Sequence, residues 1–184
     1  MVRATTPSRQ QLQAAYGLTV PDLVGPGLRV LLVGINPSLW SGAVGQHFGR
    51  PSNRLWRTLH EAGFTDRLLH PNESDVLLAV GVGVTNLVAR STARADELDD
   101  AEIRAGVAPL TRLVERWQPP WVAFLGLSSY RVAFGQPKAG VGRRPELLAG
   151  ARVWLLPNPS GLNAHYQQPA LNQAYQALRE AIGA

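Results

Sequence analysis

Apolar residues return along this chain in two rhythms. Near-continuous apolar runs at Leu28–Ile35, Ala79–Thr85, Trp121–Leu125 and Arg152–Leu156 read as short strands buried on both faces. Between them, apolar positions recur every three to four residues. Asp99–Trp117 is the longest such stretch, with Ile103, Val107, Leu110, Leu113 and Val114 on one face, and Pro119-Pro120 ends it. Ala170–Ile182 aligns Leu171, Tyr175, Leu178 and Ile182 in a single stripe. Shorter helices are expected at Ser8–Tyr16, at Asn53–Ala62 before Gly63, and near Ser74–Leu78. Strands alternating with helices predict an α/β domain whose mainly parallel sheet is covered on both faces. The 184 residues suffice for one such domain, with 1–26 as an N-terminal extension carrying a short helix.

Composition narrows the class. No stretch reaches the ~20 apolar residues of a membrane-spanning helix, and the polar N-terminus lacks the apolar core of a secretory signal. With no cysteine there are no disulfides, iron–sulfur clusters or Cys-ligated zinc, so a cytoplasmic protein is expected. The net charge of +5 rests on 17 arginines and one lysine, Lys138. The preference for Arg over Lys reads as genomic base composition, but the positive balance suits a polyanion such as nucleic acid.

In an open α/β sheet, loops at the carboxyl ends of parallel strands converge on one crevice. Two such loops nearly repeat each other here: Gly34-Ile35-Asn36-Pro37-Ser38 after the first strand, and Asn158-Pro159-Ser160-Gly161-Leu162-Asn163 after the last. The second strand delivers Thr85-Asn86 to the same edge, and the third Gly126-Leu127-Ser128-Ser129. Other chemistries fail on inventory. Gly81-Val82-Gly83 lies inside a strand without a third glycine, no Walker loop occurs, and His47, His60, His70 and His165 lack metal-ligand spacing. Lys138, in a Gly-rich loop, is the single candidate for Schiff-base chemistry.

GINPS, the loop to Phe48, RPSNRLW, EAGFT, GVTNLV and NPSGLN occur in that order from about Gly27 to the C-terminus. In these motifs the chain resembles the mismatch-specific uracil-DNA glycosylases, whose eukaryotic relative is thymine-DNA glycosylase. The resemblance implies a three-layer α/β/α sandwich around a short parallel sheet. It also implies a monofunctional, cofactor- and metal-free enzyme, acting as a monomer on double-stranded DNA with G·U or related mismatches. Such an enzyme flips the nucleotide into a pocket and hydrolyses the N-glycosidic bond, leaving an abasic site for base excision repair.

By the same resemblance Asn36 holds the hydrolytic water. An amide can position water but is no strong general base, and the faster uracil glycosylases have Asp at this position and His at that of Asn158. A slow enzyme is therefore expected. Phe48 would stack on the flipped base; the lesser alternative, after a Gly-rich loop, is a core aromatic. Main-chain groups at Ile35 and Phe48 would read the uracil edge, Asn86 and Asn158 would line the base pocket, and Ser41 would meet the C5 substituent. Gly161, Leu162 and Asn163 match the wedge that replaces the extruded nucleotide. Ser38, Trp40, Ala164 and His165 depart from the family pattern. Asp75 and Asp96 are possible auxiliary acids, though each fits a structural place too: Asp75 as a helix cap, Asp96 on a solvated loop. Two rivals stay open: a non-catalytic module binding mismatched or abasic DNA, and a nucleotide-binding α/β protein outside repair.

Overall fold

The computed structural model describes residues 6–183. Five strands, β1 (Val30–Gly34), β2 (Val82–Asn86), β3 (Trp121–Leu125), β4 (Gly142–Leu148) and β5 (Ala151–Leu156), form one sheet in the order β2-β1-β3-β5-β4. The first four in that order are mutually parallel, and β4 runs antiparallel to β5 as an edge.

Alternate strand residues enter two separate cores, which is why the runs read as continuously apolar. Val30, Leu32, Val84, Ala123 and Leu125 pack with α3 (Leu55–Glu61), α4 (Ser74–Ala79) and α8 (Gln168–Ile182), through Leu55, Leu59, Leu77, Leu171 and Tyr175. Leu31, Val33, Val122, Phe124 and Leu155 pack on the other face. There they meet α5 (Asp100–Ala105), α6 (Val107–Trp117) and α7 (Leu127–Phe134), through Ile103, Leu110, Val114 and Tyr130. The expected α/β/α layering is therefore present.

Several elements differ from the sequence reading. The long helix expected over 99–117 divides at Gly106, where the chain presses against the Leu87 carbonyl. The loop expected between β1 and Phe48 contains a helix, α2 (Leu39–Val44), capped by the Ser38 hydroxyl accepting from the Ser41 N–H. Where a site loop was expected over 126–129, Gly126 alone joins β3 to α7, whose first turn holds Leu127, Ser128 and Ser129. The strand β4 escaped notice because its charged Arg143, Arg144 and Glu146, its Pro145 and its register irregularity all look like a loop. Ala79 ends α4, and β2 starts only at Val82. Asp75 lies in the first turn of α4 but does not cap it: the N-cap position is Glu73, without a side-chain cap bond.

Before β1, helix α1 (Arg9–Ala14) is closed at its start by a capping box between Ser8 and Gln11. The chain then runs along the outer edge of β2. Leu23 and Val84 exchange both backbone hydrogen bonds at 2.9 Å, and the Gly17 N–H donates to the Ser91 carbonyl. No helix among the described residues is long and apolar enough to cross a membrane.

Candidate active site

The carboxyl ends of β1, β2, β3 and β5 open into one cleft of about 390 Å³. Its lining joins both Asn-Pro-Ser turns: Asn36 and Ser38 from the first, Asn158, Ser160, Gly161 and Leu162 from the second. Ile35, Ser41, His47, Phe48 and Asn86 complete the inner wall. Of the residues expected from sequence to act at the site, all but Asn163 and Asp75 border this space. Among the described residues, no cluster of His, Asp or Glu could hold a metal ion.

Asn36 follows β1 directly, and its orientation is fixed by its partners. Its Nδ2 donates to the Arg90 carbonyl at 3.0 Å and to Thr92 Oγ1 at 2.8 Å. Thr92 sends its own proton to the Arg94 carbonyl at 2.7 Å, so its oxygen can only accept from Asn36. Both amide protons are thereby used, and Oδ1 is the one polar atom left to the side chain. An amide oxygen can accept from a water and aim it, while lending little basicity. Arg90, whose carbonyl serves here, is itself held by Glu102, and this pairing keeps the Glu102 carboxyl below its usual range.

The cleft wall at the end of β1 rests on a glycine. A Cβ on Gly34 would lie 2.5 Å from Asn86 Oδ1 and 3.1 Å from Phe48 Cζ, so only glycine lets both side chains close over the end of β1. Phe48 occupies the left-handed region at φ 49°, a conformation costing a non-glycine residue about 1–2 kcal/mol. Its neighbours enforce the turn: Trp56 Nε1 donates to the Phe48 carbonyl at 3.3 Å and the Gly49 N–H donates to Ser41 Oγ at 3.2 Å. Ser41 is buried, with its hydroxyl engaged by Gly49 and by Ser38 Oγ. The Phe48 ring is half-buried, lines the cleft and packs against the α3/α8 core.

Asn86 is oriented in turn by His47. His47 is buried, and Nε2 lies 2.9 Å from the Pro21 carbonyl, to which it must donate. Burial holds the imidazole below its ordinary pKa, outweighing the Pro21 carbonyl and the charge of Asp22. In the neutral ring Nδ1 accepts from Asn86 Nδ2 at 3.3 Å. This places Asn86 Oδ1 over Gly34, toward the cleft.

The second turn is a self-supporting structure. Asn158 Oδ1 accepts from the Ser160 N–H at 2.9 Å, leaving its Nδ2 without a hydrogen-bond partner among the described residues. Asn163 donates through Nδ2 to the Asn158 carbonyl at 2.9 Å and accepts the His165 N–H at 3.1 Å. Its side chain thus closes the turn from inside. Leu162 projects from the tip, 85% exposed. Asp96 lines the outer rim, paired with Arg94, while Asp75 lies outside the cleft lining.

Thr92, the Arg90 carbonyl, His47 and Arg54 were not singled out as site residues from sequence. The first three act by orienting an amide, a role with no local sequence pattern. Arg54 sits inside the RPSNRLW motif, which was the available signal.

A model of the family described as the uracil DNA glycosylase superfamily matches residues 21–180. The solution NMR structure of a candidate uracil DNA glycosylase from Methanosarcina acetivorans superposes with a TM-score of 0.63. That likeness covers 91% of this chain and 99% of the other at 17% sequence identity, and is one of fold.

Proposed function

The chain belongs to the uracil DNA glycosylase superfamily, and from that premise we propose that it excises uracil from mismatched double-stranded DNA, above all opposite guanine. The observation that carries this reading is the locked amide of Asn36 across one cleft from the exposed Leu162. A mononucleotide site has no use for an apolar residue at an exposed turn tip. A duplex-binding enzyme does, because such a residue can fill the gap left by an extruded nucleotide.

In this reading Leu162 enters the base stack and the uracil nucleotide rotates into the cleft. Phe48 stacks on the base, a contact worth about 1–3 kcal/mol, and Asn86 Oδ1 meets its edge. Asn158 Nδ2 offers a proton toward the leaving base as negative charge develops there. Asn36 Oδ1 accepts from a water and directs it at the sugar C1′. The C–N bond breaks largely before water attacks, the base departs as an anion, and the water proton passes to solvent. With no carboxylate on the inner wall among the described residues, rate comes from orientation and leaving-group stabilisation, so turnover is slow. No cofactor is required, and the protein acts as a monomer within one domain.

The test is incubation with labelled duplexes containing G·U, A·U, G·T or ethenocytosine, followed by alkali. Strand scission is expected, highest for G·U. No scission on any duplex, with binding intact, would leave a mismatch- or abasic-DNA-binding module instead.

A further inference from the structure

Arg54 stands at the start of α3, and its guanidinium points into the second Asn-Pro-Ser turn. Nη1 donates to the Tyr166 carbonyl at 2.8 Å, and Nη2 to the Ser160 carbonyl at 2.7 Å and the Asn163 carbonyl at 3.1 Å. Its backbone N–H adds a fourth link, to the Pro159 carbonyl at 3.0 Å. Nε is buried without a partner, and no carboxylate pairs with this cation among the described residues.

This is an unfavourable address for a positive charge. The start of a helix carries a partial positive charge of its own, so helix stability does not explain the residue. The carbonyls do. Ser160, Asn163 and Tyr166 span the turn from which Leu162 projects, and all three point their oxygens at one planar fork. Two further contacts brace the same segment. A Cβ on Gly161 would lie 2.5 Å from the Ser52 carbonyl, so the turn is seated directly on 51–54. Beneath it, the buried Tyr175 hydroxyl donates to the Pro157 carbonyl at 3.3 Å.

We propose that Arg54 is the positioning residue of the duplex-entering turn, holding the backbone of 160–166 in its DNA-bound form before DNA arrives. The inference rests on the reading of Leu162 as a wedge. Ordering each residue of a loose turn at the moment of binding would cost roughly a fivefold to thirtyfold loss in affinity. Arg54 moves that cost into folding. Lysine cannot substitute, because a single ammonium cannot reach three carbonyls spread across a fork.

The experiment is a double-mutant cycle between position 54 and Leu162, read by binding to a duplex with an abasic-site analogue opposite guanine. Arg54→Gln is expected to weaken this binding by roughly tenfold to a hundredfold. In a Leu162→Ala background the same change should cost less than threefold, since no wedge remains to be presented. Hydrogen exchange of the 160–166 amides should accelerate while β1 and β3 stay protected. Arg54→Lys, which keeps charge and stem, should reproduce the exchange change even if Arg54→Gln folds poorly. Equal losses in both backgrounds would assign Arg54 a merely structural role and overturn the proposal, as would unchanged exchange in Arg54→Lys. Because binding is the readout, wild-type protein that excises nothing would sink the hydrolytic reading and not this one.

Discussion

Replacing Asn36 by Asp looks conservative, and it would supply the carboxylate that a faster glycosylase uses. The hydrogen bonds around Asn36 argue that this chain resists the change. The new oxygen would replace a donor lying 3.0 Å from the Arg90 carbonyl and 2.8 Å from Thr92 Oγ1. Thr92 can turn its hydroxyl inward, but only by abandoning the Arg94 carbonyl. The Arg90 carbonyl has no such freedom and would face a like-charged oxygen. Two hydrogen bonds lost, one exchanged and one acceptor pair left in opposition amount to about 2–3 kcal/mol in a half-buried setting. A protonated acid could still donate to Arg90, so folding favours the neutral form and raises the pKa of the introduced carboxyl. The penalty should therefore be small below about pH 4, grow as pH rises through the folded-state pKa, and level off above it. Urea and thermal unfolding of wild type and Asn36→Asp between pH 4 and 8 read it directly, with a Tm lowered by roughly 4–12 °C at pH 7. Asn36→Ala, which introduces no charge, should show a pH-independent loss. Asn36→Asp within about 0.5 kcal/mol of wild type at pH 7, or a difference flat in pH, would refute the assigned amide geometry.

Other consequences are as open to measurement. Leu162→Ala should leave the Tm within about 2 °C of wild type, the side chain being exposed, while weakening duplex binding and excision together. Undiminished excision would remove the wedge. Gly34→Ala should depress uracil excision by at least tenfold, because the added methyl displaces Asn86 and Phe48. A pocket unmoved by that methyl would show in unchanged kcat and KM. His47, held neutral by burial, makes a folded-state contribution that is complete above its unfolded pKa near 6.5 and is lost as pH falls toward the lowered folded value. Unfolding of wild type against His47→Gln should therefore converge on acidification, and parallel pH curves would count against a buried neutral imidazole.

How much of this could be read from sequence follows from what each residue touches. The parallel strands were legible because residues such as Leu31 and Leu32 face opposite cores, leaving a continuous apolar run. Edge strand β4 was not, since its alternation of exposed Arg143, Pro145 and Leu147 carries no apolar rhythm. Asn36, Phe48 and Leu162 could be named from motif order and strand ends. Their supports could not. Thr92 lies 56 positions from Asn36 and Arg54 more than a hundred from the turn it grips, and such pairings are made only by the fold.

The stretch between Gly17 and Pro21 precedes the first strand and was counted as an extension, yet the Pro21 carbonyl is the anchor of His47. Two residues further on, Leu23 covers the otherwise open margin of β2. Shortening the protein to Gly27 would therefore do two kinds of damage at once. The imidazole that aims Asn86 would lose its anchor, and a bare strand edge would become a template for pairing between molecules. Engineering or crystallising a minimal version should keep everything from Gly17 onward, because the practical border of the working unit lies well before the first core strand.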